Sequence, residues 1–155
     1  MPSLEGGGVE KNLFLIANFF INKIDKISVI TVSKKYKNKF NKKILLITPK
    51  YFFWDNFGRL VKYVICLYFL FFEYLKNKNI IVFCFQGNVF CTIFCKIFNI
   101  KIIIRPNSSP SGWSKNFLKK KIFINILKLA DKIIVNSIKF KIELKNKFNI
   151  KSECI

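Results

Sequence analysis

The chain predicts an α/β fold, a Rossmann-like doubly wound parallel sheet, on three observations. Short, solidly apolar, β-branched runs recur along it, helix-length apolar segments stand between them, and the joints are rich in Lys, Asn, Gly and Pro. Strands buried on both faces read as unbroken apolar runs, and parallel neighbours need a crossover, usually a helix. Repeated strand–helix–strand units with right-handed crossovers build an open sheet that receives ligands at the carboxyl ends of its strands.

The elements follow in order. Residues 9–22 place Leu13, Ile16, Ala17, Phe20 and Ile21 at helical spacing, which predicts one helix with one buried stripe. The runs 26–32 ("KISVITV") and 43–48 ("KILLIT") are bounded by Lys and Asn clusters and predict buried strands, the second closed by Pro49. Residues 58–76 are long and apolar enough for a buried helix. Strands are then expected at 80–85, 100–104 and 132–135, and helices at 88–98, 114–130 and 137–147. No apolar strand stands before Gly6, so the sheet is expected to lack its first strand. The chain stops at Ile155, where a further strand or a linker is expected to begin.

Composition narrows the partners. The 155 residues are 52% hydrophobic, enough for one core and one domain spanning 1–155. Twenty-eight basic residues face eight acidic ones, a net charge of +20, which favours a polyanion, an anionic membrane or a phosphorylated ligand. Only Arg59 and Arg105 are arginines, so the guanidinium forks that read bases are nearly absent, and no nucleic-acid partner is expected. The longest apolar run, 64–72, falls well short of the ~20 residues a bilayer span needs. Cys66, Cys84, Cys91, Cys95 and Cys154 sit among apolar neighbours with no His in the chain; they read as buried thiols in a reducing cytoplasm. Cys91 and Cys95 share one helical face, but no metal site is expected.

Candidate site residues cluster at four joints. Gly6, Gly7 and Gly8 stand directly before the first helix, where bare backbone and a helix amino end suit a diphosphate; a flexible start is the plainer alternative. Glu10 orients that loop, touches an acceptor, or simply matches the helix dipole. Gln86 and Asn88 form a polar strand-to-helix turn, with Asn88 also a natural helix cap. The stretch "RPNSSPSGW" concentrates polar residues at a strand end: Arg105 for a phosphate or pyrophosphate, Asn107 and Ser108 for sugar hydroxyls, Trp113 as an apolar face, or together a rigid turn. Asn136 and Ser137 follow another strand, Ser137 as a helix cap. Lysines at 34–43 and 115–121 are a solvated face or a docking surface for anionic lipid.

Three segments, "PSLEGGGVEKNL", "IIIRPNSSPSGW" and "ADKIIVNSIKFKIELKNKFNIK", resemble the amino-terminal domain of retaining glycosyltransferases of family 4, in the bacterial surface-polysaccharide branch. The resemblance spans nearly the whole chain and implies one half of a two-domain GT-B fold. It implies an acceptor-side domain, with the donor-binding carboxyl-terminal domain and its paired glutamates absent, so that this chain alone is expected to be inactive. The intact enzyme would move a hexose or N-acetylhexosamine from a nucleotide-sugar to a lipid-linked glycan acceptor at the cytoplasmic face of a membrane, without an obligatory metal or further cofactor. Gly6 to Gly8 would then approach the donor diphosphate across the cleft, roofed by the segment around Arg105. A histidine that many members place near the donor sugar is missing, and its contact would pass to Gln86 or Asn88. The rival readings are a non-enzymatic basic peripheral membrane or interaction domain and a nucleic-acid-binding module.

Overall fold

The computed structural model describes residues 1–108 and 116–154. The described chain is α/β, with parallel sheets and alternating helices of the Rossmann-like kind, and it divides into two compact units, Met1–Lys76 and Asn77–Ile155.

In the first unit, helix α1 (Gly8–Phe20) leads into strand β1 (Ser28–Ile30), which pairs in parallel with β2 (Leu45–Ile47). Leu13 and Ala17, four apart, are buried from one face of α1, as the helical spacing predicts. No strand precedes α1 among the described residues, yet the start of the chain lies along the free edge of β1. The Met1 amino group donates to the Ile30 carbonyl at 2.8 Å and Val32 N–H to the Pro2 carbonyl at 3.1 Å. Leu4, two residues further on, is 2% exposed, a burial worth about 1.5–3 kcal/mol. Four residues with a proline are too few to announce a strand, but they supply its backbone pairing.

Helix α2 (Arg59–Lys76) follows a short 3₁₀ turn, Phe52–Asn56, to which it is tied by the Lys62–Asp55 ion pair at 3.1 Å. The expectation of a buried helix needs correction. Only Leu70 is fully buried, while Leu60, Val64, Tyr68, Phe72 and Leu75 are exposed at spacings of four, four, four and three. Apolar residues on every face hide this stripe from a reading of periodicity.

The second unit is a four-stranded parallel sheet, β3 (Ile81–Cys84), β4 (Lys101–Ile104), β5 (Lys132–Val135) and β6 (Glu153–Cys154), in that order. Helices α3 (Asn88–Ile97), α4 (Phe117–Leu127) and α5 (Ile138–Phe148) connect them. Every connection steps the same way, and such crossovers are right-handed in about 98% of cases, so the three helices fall on one face. Packing agrees: α3 lies on β3 and β4 and against α4, while α5 lies on β5 and β6. Ile102, Ile104, Val135 and Leu144 are buried essentially completely.

Local chemistry sets the ends. Asn116 and Ser137 cap α4 and α5, accepting from Lys119 N–H and Phe140 N–H, both at 3.2 Å. Asn99 and Asn149 take the left-handed conformation just past α3 and α5, the place glycine usually fills. Asp131 fastens β4 where its ladder to β5 begins: Oδ2 accepts from Ile102 N–H at 2.7 Å, and both carboxylate oxygens lie 3.0 Å from Lys96 Nζ. That backbone bond, with Lys96, holds the Asp131 carboxyl below its usual value.

Candidate functional site

The carboxyl ends of β3 and β4 are stitched together by two hydrogen bonds. Arg105 N–H donates to the Cys84 carbonyl at 2.9 Å, and Asn107 Nδ2 donates to the Phe85 carbonyl at 2.7 Å. Gln86, Asn88, Arg105 and Asn107 are therefore gathered at one sheet edge, beside the amino end of α3.

Arg105 is 8% exposed, and its guanidinium has no hydrogen-bond or ion-pair partner among the described residues. Burial alone pushes its pKa below the ordinary arginine value. A guanidinium remains charged throughout the working pH range, so this cation has lost water without gaining an anion. Such an arrangement is costly for folding and suited to an incoming oxyanion, which a planar fork binds through two parallel bonds.

The turn before α3 departs from expectation in one respect. Gly87, at φ 70°, is the cap residue of α3, and Asn88 is the first helical residue. Asn88 Oδ1 is buried without a partner, as is Thr92 Oγ1 one turn later on the same face. Asn107 commits an amide donor to Phe85, so it holds the loop in place as well as offering a carbonyl oxygen. Ser108 is exposed beyond it, and Trp113 lies outside the described residues.

Three thiols converge behind this turn. Cys84 ends β3, and Cys91 and Cys95 stand on successive turns of α3. Cys84 Sγ donates to the Gln86 carbonyl at 2.9 Å. Hydrogen bonds from Cys84 and then Cys95 lower the Cys91 thiol well below its ordinary value, while their bonds to Cys91, with burial, raise the other two. No group of metal-ligating side chains is placed to hold an ion among the described residues. Sequence spacing reveals the Cys91–Cys95 face, but Cys84 joins it only through the fold.

The glycine loop belongs to the first unit, where its three members differ. Gly6 has φ +83°, and a Cβ there would stand 2.7 Å from the Tyr36 hydroxyl; Tyr36 itself is left-handed, at φ 67°. Gly7 caps α1, and a Cβ on it would stand 2.9 Å from Glu10 Oε2. Glu10 is 5% exposed and sits in the first helical turn, so the α1 dipole is met by the protein's own carboxylate. Gly8 alone opens onto free space. Tyr36, thirty residues away, carries no sequence signal for this contact.

No helix among the described residues is long and apolar enough to cross a membrane. Comparison with known proteins finds no matching family model and no matching curated relative.

Proposed function

We propose that the chain is the acceptor-side domain of a retaining glycosyltransferase of family 4 type, serving transfer of a hexose or N-acetylhexosamine from a nucleotide-sugar to a lipid-linked glycan. The observation that carries this reading is the buried Arg105 at the carboxyl end of β4, without a side-chain partner among the described residues. A phosphate or pyrophosphate linking glycan to lipid is the anion such a site lacks, and the strand ends of an open parallel sheet are where such folds receive ligands. Asn88 and Gln86 line the same turn and supply polar atoms for sugar hydroxyls. At the glycine loop, approach of a donor diphosphate is confined to Gly8, since Tyr36 and Glu10 fill the space beside Gly6 and Gly7. Backbone amides there would meet charge developing on the departing diphosphate, the α1 dipole itself being matched by Glu10.

Calorimetry with farnesyl pyrophosphate, against inorganic pyrophosphate, tests the reading. The wild-type chain is expected to bind both, and Arg105→Met to weaken both by about 10- to 100-fold, the worth of one or two charge-assisted bonds. Equal affinities for wild type and variant would overturn it.

A second reading, a peripheral membrane domain, is favoured by the exposed stripe on α2 together with exposed Tyr51, Phe53 and Phe57 in the preceding turn. With a net charge of +20, anionic lipid would add about 1 kcal/mol for each Lys or Arg near the surface. Cosedimentation with phosphatidylglycerol vesicles separates the two roles. Val64→Glu with Tyr68→Glu should abolish sedimentation and leave pyrophosphate binding intact; unchanged sedimentation would remove the membrane reading.

A further inference from the structure

We propose that the open edge of β2, with the lysines beside it, receives an acidic, extended peptide segment of a partner protein, added to the β1–β2 sheet as a third strand. The inference concerns the first unit alone and does not depend on the Arg105 site. Among the described residues β2 has a strand partner on one side only. Leu45 N–H donates to the Ile27 carbonyl at 3.0 Å, and Thr31 N–H donates to the Ile47 carbonyl at 3.1 Å. Leu45 and Ile47 thus turn their backbone groups to β1, and the N–H and C=O of Leu46, which alternate with them, face the open side. Such an edge is a template for an incoming strand.

The surface beside that edge is shaped and charged. An open depression of about 1020 Å³ runs from the turn Lys37–Lys39 to Leu46. Lys37, Lys42 and Lys43 line it, exposed and in no ion pair among the described residues, and no acidic residue stands between Asp25 and Asp55. Asn18 of α1 holds the turn in place: its Nδ2 donates to the Lys39 carbonyl and its Oδ1 accepts from Asn41 N–H, both at 2.9 Å. Asn41 Oδ1 in turn accepts from Lys43 N–H at 3.0 Å, and buried Phe40 packs edge-on against Phe14 at 4.9 Å. The backbone that carries the lysines is therefore ordered before any ligand arrives, which lowers the cost of binding.

Charge selects the occupant. Ammonium groups without counter-ions attract carboxylates and repel a second copy of this chain, whose net charge is +20. Pairing two β2 edges antiparallel about Leu46 would also bring Lys42 of one copy to Lys50 of the other, and like charges directly opposite are destabilising. Leu45, exposed on the strand, offers an apolar cross-strand contact, so a segment carrying both acidic and β-branched residues fits the edge. Main-chain bonds to Leu46 supply affinity, and the lysines supply the preference for acid.

The test titrates the full, isotope-labelled chain with an acetylated octapeptide of alternating Asp and Val, and with the same peptide N-methylated at every residue, which keeps the charges and removes the backbone donors. The unmodified peptide is expected to bind saturably, to slow amide exchange at Leu46 while leaving Leu45 unchanged, and to be released in about 1 M salt, where charges are screened beyond about 3 Å. The methylated peptide should not bind. Lys37→Gln, Lys42→Gln and Lys43→Gln together, with an unchanged circular dichroism spectrum, should weaken binding about tenfold, the worth of three exposed ion pairs. No saturable binding, equal binding of the two peptides, or an unmoved Leu46 amide would overturn the proposal. A lysine variant that keeps wild-type peptide affinity but no longer sediments with phosphatidylglycerol vesicles would overturn it too, making the lysines a lipid contact.

Discussion

Replacing the three glycines of the α1 loop one at a time by alanine should give three different results. At Gly6, alanine would adopt φ +83°, which costs about 1–2 kcal/mol for a residue with a Cβ. The new methyl would also stand 2.7 Å from the Tyr36 hydroxyl, an overpacking contact worth about 1 kcal/mol once the ring yields. The ring is not free to yield widely, because it lies against Phe14 at 6.3 Å. Loss of unfolded-state freedom returns about 0.4–1 kcal/mol. The net is a destabilisation of about 2 kcal/mol. At Gly7, alanine is a poorer helix cap and crowds the Glu10 carboxylate, for a loss of about 1 kcal/mol. At Gly8, alanine enters the first helical turn with free space around it, and helix propensity gains about 0.5 kcal/mol. Guanidinium unfolding followed by far-UV circular dichroism reads all three at constant m. Tyr36→Phe in the Gly6→Ala background should recover the hydroxyl contact and leave the backbone cost, a coupling of about 0.5–1 kcal/mol. Equal effects at Gly6 and Gly8, or no coupling to Tyr36, would refute the packing described for this loop.

Other expectations concern the second unit. Asp131→Asn removes a charge-assisted bond to Ile102 N–H and the pair with Lys96; because the side chain is 42% exposed, the loss should be about 1 kcal/mol. The Asp131 carboxyl is depressed in the folded state, so its contribution is complete above the unfolded value near 3.9 and disappears as pH falls through the lower folded value. Acid titration of wild type and variant should therefore converge below about pH 4. Ser137→Ala should cost about 1 kcal/mol by uncapping α5. Leu144→Ala, at a position 1% exposed, should cost about 2–5 kcal/mol in chemical unfolding.

Much of this architecture is legible in the amino-acid order, for a physical reason. "IIVFCF", "IKIII" and "KIIV" are β-branched, short and bounded by polar joints, so strand is the one state that buries them, and β3, β4 and β5 stand inside those runs. Features set by distant contacts are not legible. The Met1–Leu4 edge exists only because Ile30 and Val32 offer backbone partners, and the exposure of Val64 and Tyr68 depends on what α2 packs against. At the candidate site, an arginine at a strand end is visible in the sequence. Its lack of an acidic partner among the described residues is not, nor is the use of an Asn107 donor to pin the loop to Phe85. Asn88 reads as a cap by residue type, yet Gly87 holds that place because the turn needs a positive φ.

The most direct measurement is the unfolding free energy of wild type and Arg105→Met, each with and without saturating pyrophosphate. If Arg105 is kept for a ligand and not for the fold, the methionine variant without ligand will be as stable as wild type or more so, since burying a thioether relieves the desolvated charge. Pyrophosphate will then stabilise wild type by about 2–3 kcal/mol at a hundredfold excess over its Kd and the variant, at the same concentration, by only about 0.4–1.4 kcal/mol. A wild type indifferent to pyrophosphate, with a variant several kcal/mol less stable, would make Arg105 a structural residue and contradict the account.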